Sequence, residues 1–312
     1  MTAIGVDVGG SWLKLVVLAD DGGVTLHDRR RLPPTGVVEF VTRAAAVAVE
    51  RYSASSLGIG LAGLVDSAAG TLVWGPHLEG RQVPYRRLLE EALDMPVAVD
   101  NDANLAVAAE ARLGAGQGAD PVLLVALGTG IGVGLSYGNR VYRGRAFAGE
   151  AGHMQMTAEG AVCECGRSGC WETLVSGTVL DQQAQTHAQR QPDGMVARAA
   201  AGGPVTAEHL ARAALAGDDA AADAYRRAGE WLGRGLVSLS LMVDPAIIII
   251  GGAVSEAGDL LADPARRWLA TELPGADHRP TIPVVPARFG TFAGAVGAAL
   301  AGWAVQNGDD EW

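Results

Sequence analysis

Positive charge is scarce in this 312-residue chain, and lysine occurs once, at Lys14. Lysine and arginine together number 24 against 35 acidic residues, which gives a formal net charge of −11 at pH 7. Nucleic acids and anionic membranes also carry negative charge, so we expect neither to be a partner. Phosphate ligands are still possible, because backbone N–H groups bind them without side-chain charge.

Long hydrophobic runs are also absent. A membrane-spanning helix needs about 20 consecutive apolar residues, whereas the most apolar stretch, 236–254, is interrupted by Asp244 and Pro245. The chain begins almost directly with an apolar strand pattern and shows neither the basic region nor the cleavage site of a signal peptide. The sequence therefore predicts a soluble, cytoplasmic protein.

Cysteine is limited to three residues, all within Cys163–Cys170. An odd, clustered set favours metal binding over disulfides, although three buried free thiols are the alternative. Together with one histidine they form a Cys₃His set suited to structural zinc, made of His153, Cys163, Cys165 and Cys170. Glu150 and Glu172 flank this loop, where we expect them to be functional and not only surface residues.

The abundant residues indicate a globular protein. Hydrophobic residues make up 49% of the chain and charged residues 19%, which favours a packed core over disorder. The length suits two lobes of ordinary domain size. A strand, a glycine turn and a second strand occur at 4–18 and again at 121–135, so we predict two related lobes that each begin with a β-hairpin.

Hydrophobic periodicity and turn residues predict further elements along the chain. Helices are expected at 38–51, 85–93, 102–113, 220–242 and 294–303. Strands are expected at 57–61, 97–99 and 247–250. Strands that alternate with helices in this way predict an α/β fold.

Glycine-rich turns allow the backbone to approach a phosphate. The first such turn follows Asp7, contains Gly9, Gly10 and Ser11, and precedes Lys14. The carboxylate of Asp7 ends a predicted strand and suits a hydrated Mg²⁺, which prefers oxygen ligands. An ordinary hairpin turn is the alternative interpretation.

A second turn contains Gly128, Thr129 and Gly130, and the pair Gly251–Gly252 follows a buried strand. A single glycine run is weak support for a phosphate site, since a tightly packed hairpin produces the same pattern. Three such turns in one chain favour a site for a nucleotide.

Two carboxylates and two amides cluster at a predicted strand-to-helix junction, at Asp100, Asn101, Asp102 and Asn104. Such side chains can bind sugar hydroxyls as donors and acceptors. Helix capping is the alternative, but one cap needs only one such residue. The positive end of the helix should keep Asp102 ionised at neutral pH, ready to accept a proton.

Taken together, these residues resemble the ROK family of bacterial sugar kinases and their repressor relatives. The resemblance covers nearly the whole chain and rests on five motifs in the family's order. They are DxGGTxxK at 7–14, with Ser11 for the usual threonine, an ENDAN-like segment at 100–104, LGTGIG at 127–132, GExGH at 149–153 and CxCGxxGCxE at 163–172.

The resemblance implies a two-lobed actin-like ATPase fold of ribonuclease-H-like domains, with sugar and nucleotide in the cleft between the lobes. Residues 1–114 would form the N-terminal lobe, against which the helix 295–312 would pack. Residues 115–294 would form the C-terminal lobe with the zinc loop and the nucleotide motifs. The resemblance further implies ATP, Mg²⁺ and structural Zn²⁺, and a homodimer or homotetramer.

The resemblance also implies a role for each matching position. Asp102 would be the catalytic base that accepts the proton of a hexose 6-hydroxyl. The sugar ligands would be Asn101, Asp102, Glu150, His153 and Glu172. The zinc ligands would be His153, Cys163, Cys165 and Cys170. The nucleotide and its phosphates would be bound at Asp7, Gly9, Gly10, Ser11, Lys14, Gly128, Thr129, Gly130, Gly251 and Gly252.

Three departures from the family pattern are visible. Trp12 stands where a smaller or basic residue is commoner, and Ala253 replaces the third glycine of the adenosine motif. The region 76–81 lacks the NLPGW-like stretch of many glucose kinases, whose asparagine touches the sugar. An amino sugar of the kanosamine or N-acetylmannosamine type is therefore the alternative substrate to glucose.

Other functions within the family fit the residues less well. A repressor would carry a helix-turn-helix ahead of the kinase-like body, for which Asp7 in the first strand leaves no room. A non-catalytic sugar sensor would not need Asp102 and the phosphate-binding turns. A polyphosphate-dependent kinase would not need Gly251 and Gly252, which favour a nucleoside donor.

Overall fold

The computed structural model describes residues 2–19 and 23–309. Its strands, in chain order, are β1 (Thr2–Val8), β2 (Trp12–Ala19), β3 (Val24–Arg31), β4 (Ser56–Leu61), β5 (Leu64–Asp66), β6 (Thr71–Trp74), β7 (Val97–Asn101), β8 (Val122–Leu127), β9 (Ile131–Tyr137), β10 (Arg140–Val141), β11 (Ile247–Gly251) and β12 (Val284–Pro286). Its helices are α1 (Val37–Tyr52), α2 (Tyr85–Leu93), α3 (Asp102–Leu113), α4 (Gly177–Arg190), α5 (Met195–Ala200), α6 (Ala207–Leu215), α7 (Asp219–Val243), α8 (Asp259–Glu272) and α9 (Ala293–Gln306). The predicted α/β class is confirmed.

The described chain divides into two compact units. The first comprises Met1–Leu124, Val133–Glu150 and Ala287–Trp312, and the second comprises Val125–Gly132 and Ala151–Pro286. The lobes predicted from the sequence differ from this division in placing 115–124, 133–150 and 287–294 with the second lobe. A five-stranded sheet has the order β10-β9-β8-β11-β12, and its strands β8 and β9 each continue along the chain from one unit into the other.

The first unit contains a second five-stranded sheet, with the order β3-β2-β1-β4-β7. Strands β1, β2 and β3 are antiparallel neighbours, whereas β4 runs parallel to β1 and β7 runs parallel to β4. Asp7 and Asp100 are both register partners of Gly60. The two carboxylates therefore lie in one row across the carboxyl ends of the parallel strands.

Both faces of this sheet are covered, because successive residues of a strand point to opposite sides. Ile4, Val6 and Val8 join residues of α1 and α2 in one apolar core. Ala3 joins residues of α9 in another. Gly5 allows α9 to lie directly on the strand, since a Cβ at this position would be 1.9 Å from the carbonyl oxygen of Ala295.

The long predicted elements are confirmed. Helices α2 and α3 have the predicted bounds, and α1, α7 and α9 extend one to three residues beyond theirs. The strands β3, β5, β6, β10 and β12 and the helices α4, α5, α6 and α8 were not predicted from the sequence. Within 2–19 and 23–309, no helix is both long enough and apolar enough to cross a membrane.

Candidate active site

The first glycine turn joins β1 to β2, whose antiparallel register pairs Asp7 with Lys14. Nζ of Lys14 lies 2.9 Å from Oδ2 of Asp7. Burial by itself lowers the pKa of Lys14, but the Asp7 carboxylate outweighs this effect and raises the pKa above its ordinary value. Oδ1 of Asp7 is buried and has no hydrogen-bond partner in the described part of the chain. A carboxylate oxygen of this kind fits a hydrated Mg²⁺.

Trp12, the unusual residue of the first motif, stacks with Arg29. Cζ of Arg29 lies 3.9 Å from the centroid of the Trp12 ring, a cation–π distance. Arg29 is also the register partner of Lys14 across β2 and β3. Trp12 therefore holds a second cation beside Lys14. The sequence analysis missed Arg29 because it did not predict β3.

Asn101 is the N-cap of α3. Its Oδ1 accepts from the backbone N–H groups of Ala103 at 2.9 Å and Asn104 at 3.1 Å. Its Nδ2 donates to the carbonyl oxygen of Gly63 at 3.1 Å. The capping interpretation therefore holds for this residue, and one amide hydrogen of Asn101 is left for a ligand.

Asp100 is buried, and both of its carboxylate oxygens are engaged. Oδ1 accepts from the backbone N–H of Asn101 at 2.7 Å and from Nδ2 of Asn104 at 3.1 Å. Oδ2 accepts from Nε of Arg143 at 2.7 Å. A carboxylate that is satisfied in this way is a poor candidate for a proton acceptor. Arg143 was missed by the sequence analysis, because no local pattern connects it with Asp100.

Asp102, the first residue of α3, has one oxygen engaged. Its Oδ1 accepts from the backbone N–H of Ala103 at 2.9 Å. Burial above all, and then the negative charge of Asp7, raise the pKa of Asp102 to about 7, against the opposing charge of Lys14. The expectation that the helix N-terminus keeps Asp102 ionised at neutral pH is therefore not met, because desolvation outweighs the helix dipole.

The predicted zinc ligands come together within the second unit. Their ligand atoms all lie within 4.8 Å of one another, and they belong to His153, Cys163, Cys165 and Cys170. Nδ1 of His153 is 3.5 Å from Sγ of Cys163, and the Sγ atoms of Cys165 and Cys170 are 3.6 Å apart. Tetrahedral Zn²⁺ with ordinary bond lengths requires such separations, about 3.5 to 3.8 Å. The donor set therefore fits zinc, and the Sγ–Sγ distance excludes a disulfide between Cys165 and Cys170.

The segment 153–172, which we call the cysteine loop, is anchored on α7 by Trp171. This side chain is fully buried, and its Nε1 donates to the carbonyl oxygen of Trp231 at 2.8 Å. A Cβ at Gly235 would lie 2.1 Å from the indole ring, so the ring fits only against a glycine. The anchor helps to place Glu172, the next residue, together with the metal-ligand set.

Glu172 lies beside both the metal ligands and the second glycine turn. Its Oε1 is 2.8 Å from Sγ of Cys163 and 3.3 Å from Nδ1 of His153. Burial by itself raises the pKa of Glu172, but hydrogen bonds from His153 and Cys163 outweigh it and lower the pKa. A Cβ at Gly130 would lie 2.5 Å from Oε2 of Glu172. The carboxylate is therefore held ionised against the turn.

The second glycine turn and the Gly251–Gly252 pair meet within the second unit. Gly252 has φ 81°, and a Cβ there would lie 2.3 Å from the carbonyl oxygen of Leu127. A Cβ at Gly128 would meet nothing within 4 Å, so its Cα faces open space. The two motifs assigned to nucleotide binding are thus neighbours, and the backbone of Gly128 also donates to the carbonyl oxygen of Gly130 and accepts from the N–H of Gly177.

A cavity of about 550 Å³ lies beside the first glycine turn in the first unit. Its wall includes Ser11, Arg31, Thr35, His77 and Glu79. Oε2 of Glu79 accepts from the backbone N–H of Gly36 at 2.7 Å, which fixes the position of its carboxylate. Part of the wall is therefore formed by the region 76–81, where the sequence departs from the family pattern.

Comparison with known proteins gives consistent similarities over nearly the whole chain. A sequence model of the ROK family matches residues 3–304. The glucokinase of Streptomyces coelicolor is 35% identical over 303 residues, which cover 95% of this chain and 96% of that protein. The N-acetylgalactosamine kinase AgaK of a Shewanella species is 32% identical, with 97% of each chain covered. A crystal structure of the ROK family glucokinase from Streptomyces griseus, in complex with glucose and AMPPNP, has a TM-score of 0.90 at 37% identity and covers 97% of this chain and 99% of that chain.

Proposed function

Because the chain belongs to the ROK family and is an ATP-dependent sugar kinase, we propose that it phosphorylates the 6-hydroxyl of glucose or a close relative, with Asp102 as general base. The chain has the actin-like ATPase fold of solved ROK sugar kinases, as the sequence predicted. The observation that carries the proposal is the state of Asp102, which has one oxygen unengaged within the described chain and a pKa of about 7.

A base with this pKa suits the reaction. General-base catalysis is most efficient when the pKa lies near the working pH, since the base must be ionised and yet accept a proton. Asp102 would take the proton of the attacking hydroxyl, while the remaining barrier is lowered by alignment and by neutralising the phosphate charge. Lys14 lowers the pKa of Asp102, and Asp7 raises it, so this pair tunes the base.

The phosphates of ATP would be bound by the backbone at Gly9, Gly10, Gly128 and Gly130, with Ser11 and Thr129 in the same turns. Asp7 would hold Mg²⁺ through water, and the cation would supply charge neutralisation at the phosphates. Lys14 would keep Asp7 in place through their ion pair. Gly251 and Gly252 would receive the nucleoside, next to Leu127 of the second turn.

The acceptor would be held by the side chains of Asn101, Asp102, Glu150, His153 and Glu172. Asn101 can contribute its remaining amide hydrogen, and Glu172 contributes an ionised carboxylate. His153 turns Nδ1 toward Cys163, and its Nε2 would meet a sugar hydroxyl. Structural Zn²⁺ on His153, Cys163, Cys165 and Cys170 would fix the orientation and the tautomer of the imidazole.

An amino sugar is the second candidate for the acceptor. The region 76–81, where the sequence departs from the family pattern, forms part of the wall of the cavity beside Ser11 and places the polar side chains of His77 and Glu79 there. Similarity to an N-acetylgalactosamine kinase shows that this family includes relatives named for an amino-sugar substrate. Glucose and an amino sugar are therefore the two candidates for the preferred substrate.

An assay that couples ADP release to a colour change, run over glucose, mannose, galactose and their amino and N-acetyl derivatives, tests the proposal. We expect a hexose with a free 6-hydroxyl to be phosphorylated and its 6-deoxy analogue to be inert. A hundredfold preference in kcat/KM for an amino sugar, about 2.7 kcal/mol, would establish the second candidate instead. Phosphorylation at another position, or only with polyphosphate as donor, would contradict the proposal.

A further inference from the structure

A partly buried ion pair in the first unit connects the start of α3 with the loop that carries Glu150. Nε of Arg143 donates to Oδ2 of Asp100, and only 2% of the Asp100 side chain is exposed. The other oxygen of Asp100 accepts from Asn101 and Asn104, the residues on either side of Asp102 and Ala103. Asp100 is therefore the point where strand β7, helix α3 and the loop from 142 to 150 are joined by hydrogen bonds.

The loop from Arg143 to Glu150 is held at both ends. At its start, Nη1 of Arg143 donates to the carbonyl oxygen of Val141, and the Arg143 carbonyl accepts from the N–H of Ala148. At its end, Gly149 has φ 97°, and a Cβ there would lie 2.3 Å from the carbonyl oxygen of Val133. The backbone of Glu150, the next residue, is thus placed by Arg143 on one side and by β9 on the other.

We propose that Arg143 is a positioning residue for phosphoryl transfer, which acts through Asp100 to hold Asp102 and Glu150 in their working arrangement. The proposal rests on the proposed roles of Asp102 and Glu150. The proposed role is indirect, because it is exerted through the ion pair with Asp100. Small errors in such an arrangement are costly, since misplacing a reacting group by about 1 Å can lower the rate about 10²-fold.

Stability alone is a weak reason for such a pair. The Asp100 carboxylate is buried and the Arg143 side chain is 22% exposed, and the cost of desolvating such charges offsets much of their attraction. The pair does fix the orientation of the Asp100 carboxylate. Nε of Arg143 donates to Oδ2, while Oδ1 is already engaged by the N–H of Asn101. Its contribution is therefore expected in the geometry of the site more than in the free energy of unfolding.

The contact through Nε allows a sharp test. Glutamine carries its terminal nitrogen on Cδ, the same position at which arginine carries Nε, so Arg143→Gln can keep the hydrogen bond to Asp100 without the charge. Methionine has a similar length but no donor. We expect Arg143→Met to lower kcat at least tenfold and to raise the sugar KM, with the KM for ATP within twofold, and we expect Arg143→Gln to keep kcat within about threefold.

Arg86→Met is the matched control. Arg86 is also partly buried in the first unit, and it donates to the backbone carbonyls of Ser67, Ala68 and Val97, the last of these in β7. We expect this variant to lower Tm while kcat stays within twofold. The proposal would be overturned if Arg143→Met and Arg86→Met had equal kcat values. It would also be overturned if kcat fell as far in Arg143→Gln as in Arg143→Met.

A second pair of variants keeps the test decisive if Arg143→Met does not fold. Asp100→Asn preserves the acceptor for the N–H of Asn101 but turns an amide donor toward Nε of Arg143. Adding Arg143→Gln supplies an acceptor for that donor. We expect the double variant to recover kcat at least threefold over Asp100→Asn. A double variant that is as slow as Asp100→Asn, or slower, contradicts coupling between the two residues. If the wild-type protein itself had no sugar kinase activity, that result would instead count against the proposed function.

Discussion

The segment 100–104 and the cysteine loop both carry proposed sugar ligands, but they are held in different ways. Segment 100–104 lies between β7 and α3, where Asn101 caps the helix and Asp100 joins the neighbouring elements. The cysteine loop contains only two short 3₁₀ turns and isolated bridges. Asp102 is therefore placed by regular secondary structure together with the Asp100–Arg143 pair, whereas His153 and Glu172 depend on one indole ring and a metal-ligand set.

Replacing Asp102, the proposed base, should have the largest effect on activity and little effect on the fold of segment 100–104. We expect Asp102→Asn to lower kcat about 10²- to 10⁴-fold, because asparagine cannot accept the proton. Its side-chain oxygen can still accept from Ala103, so the helix start should persist, and calorimetry should find ATP binding unchanged. Asp66→Asn, in the β5–β6 hairpin, is the control. A variant that keeps more than about a tenth of wild-type kcat would exclude Asp102 as the base.

Removing the metal should disturb the cysteine loop and spare segment 100–104. We expect elemental analysis to find one zinc per chain, and chelation to raise the sugar KM about 10- to 100-fold while the KM for ATP changes little. Restoring Zn²⁺ should restore the sugar KM, which is the internal control. Protein that is fully active without zinc would show that Trp171 alone suffices to hold the loop.

The elevated pKa of Asp102 predicts a pH dependence that the cysteine loop does not produce. The base must be ionised, so kcat/KM should fall about tenfold per unit as pH drops below about 7. The folded pKa lies above the ordinary value, so ionisation disfavours the fold, and stability should decline as pH rises from about 4 to 7. Asp102→Asn should lose this decline and melt at or above the wild-type Tm at pH 8. A kcat/KM that stays flat from pH 5 to 8 would contradict the assignment.

A smaller effect is expected from the anchor of the cysteine loop. In Gly235→Ala the added Cβ would meet the Trp171 ring, which must move, so overpacking should cost about 1 to 3 kcal/mol in the free energy of unfolding. The sugar KM should rise several-fold through Glu172, with kcat nearly unchanged. Ser238→Ala, in the same helix, is the control. A variant with unchanged Tm and sugar KM would indicate that the loop does not depend on this contact.

In segment 100–104 and in the cysteine loop, local sequence patterns predict some features and not others. The ends of α3 and the four members of the metal-ligand set were visible from local patterns, since both depend on residues close together in the chain. The role of Asn101 as a cap was underestimated, because one side chain satisfies two backbone N–H groups at once. Arg143 was not considered, since its contact with Asp100 spans 43 positions.

The sequence by itself determined the family, the long helices and strands, and the residue types available at each motif. These features depend on spacing and periodicity, which are local properties of the chain. Only the tertiary structure decided that Asp102 has a pKa of about 7, that Asp100 is fully engaged, and that Trp12 holds Arg29 beside Lys14. Each of these depends on desolvation or on contacts between distant strands and loops, which no local pattern of residues records.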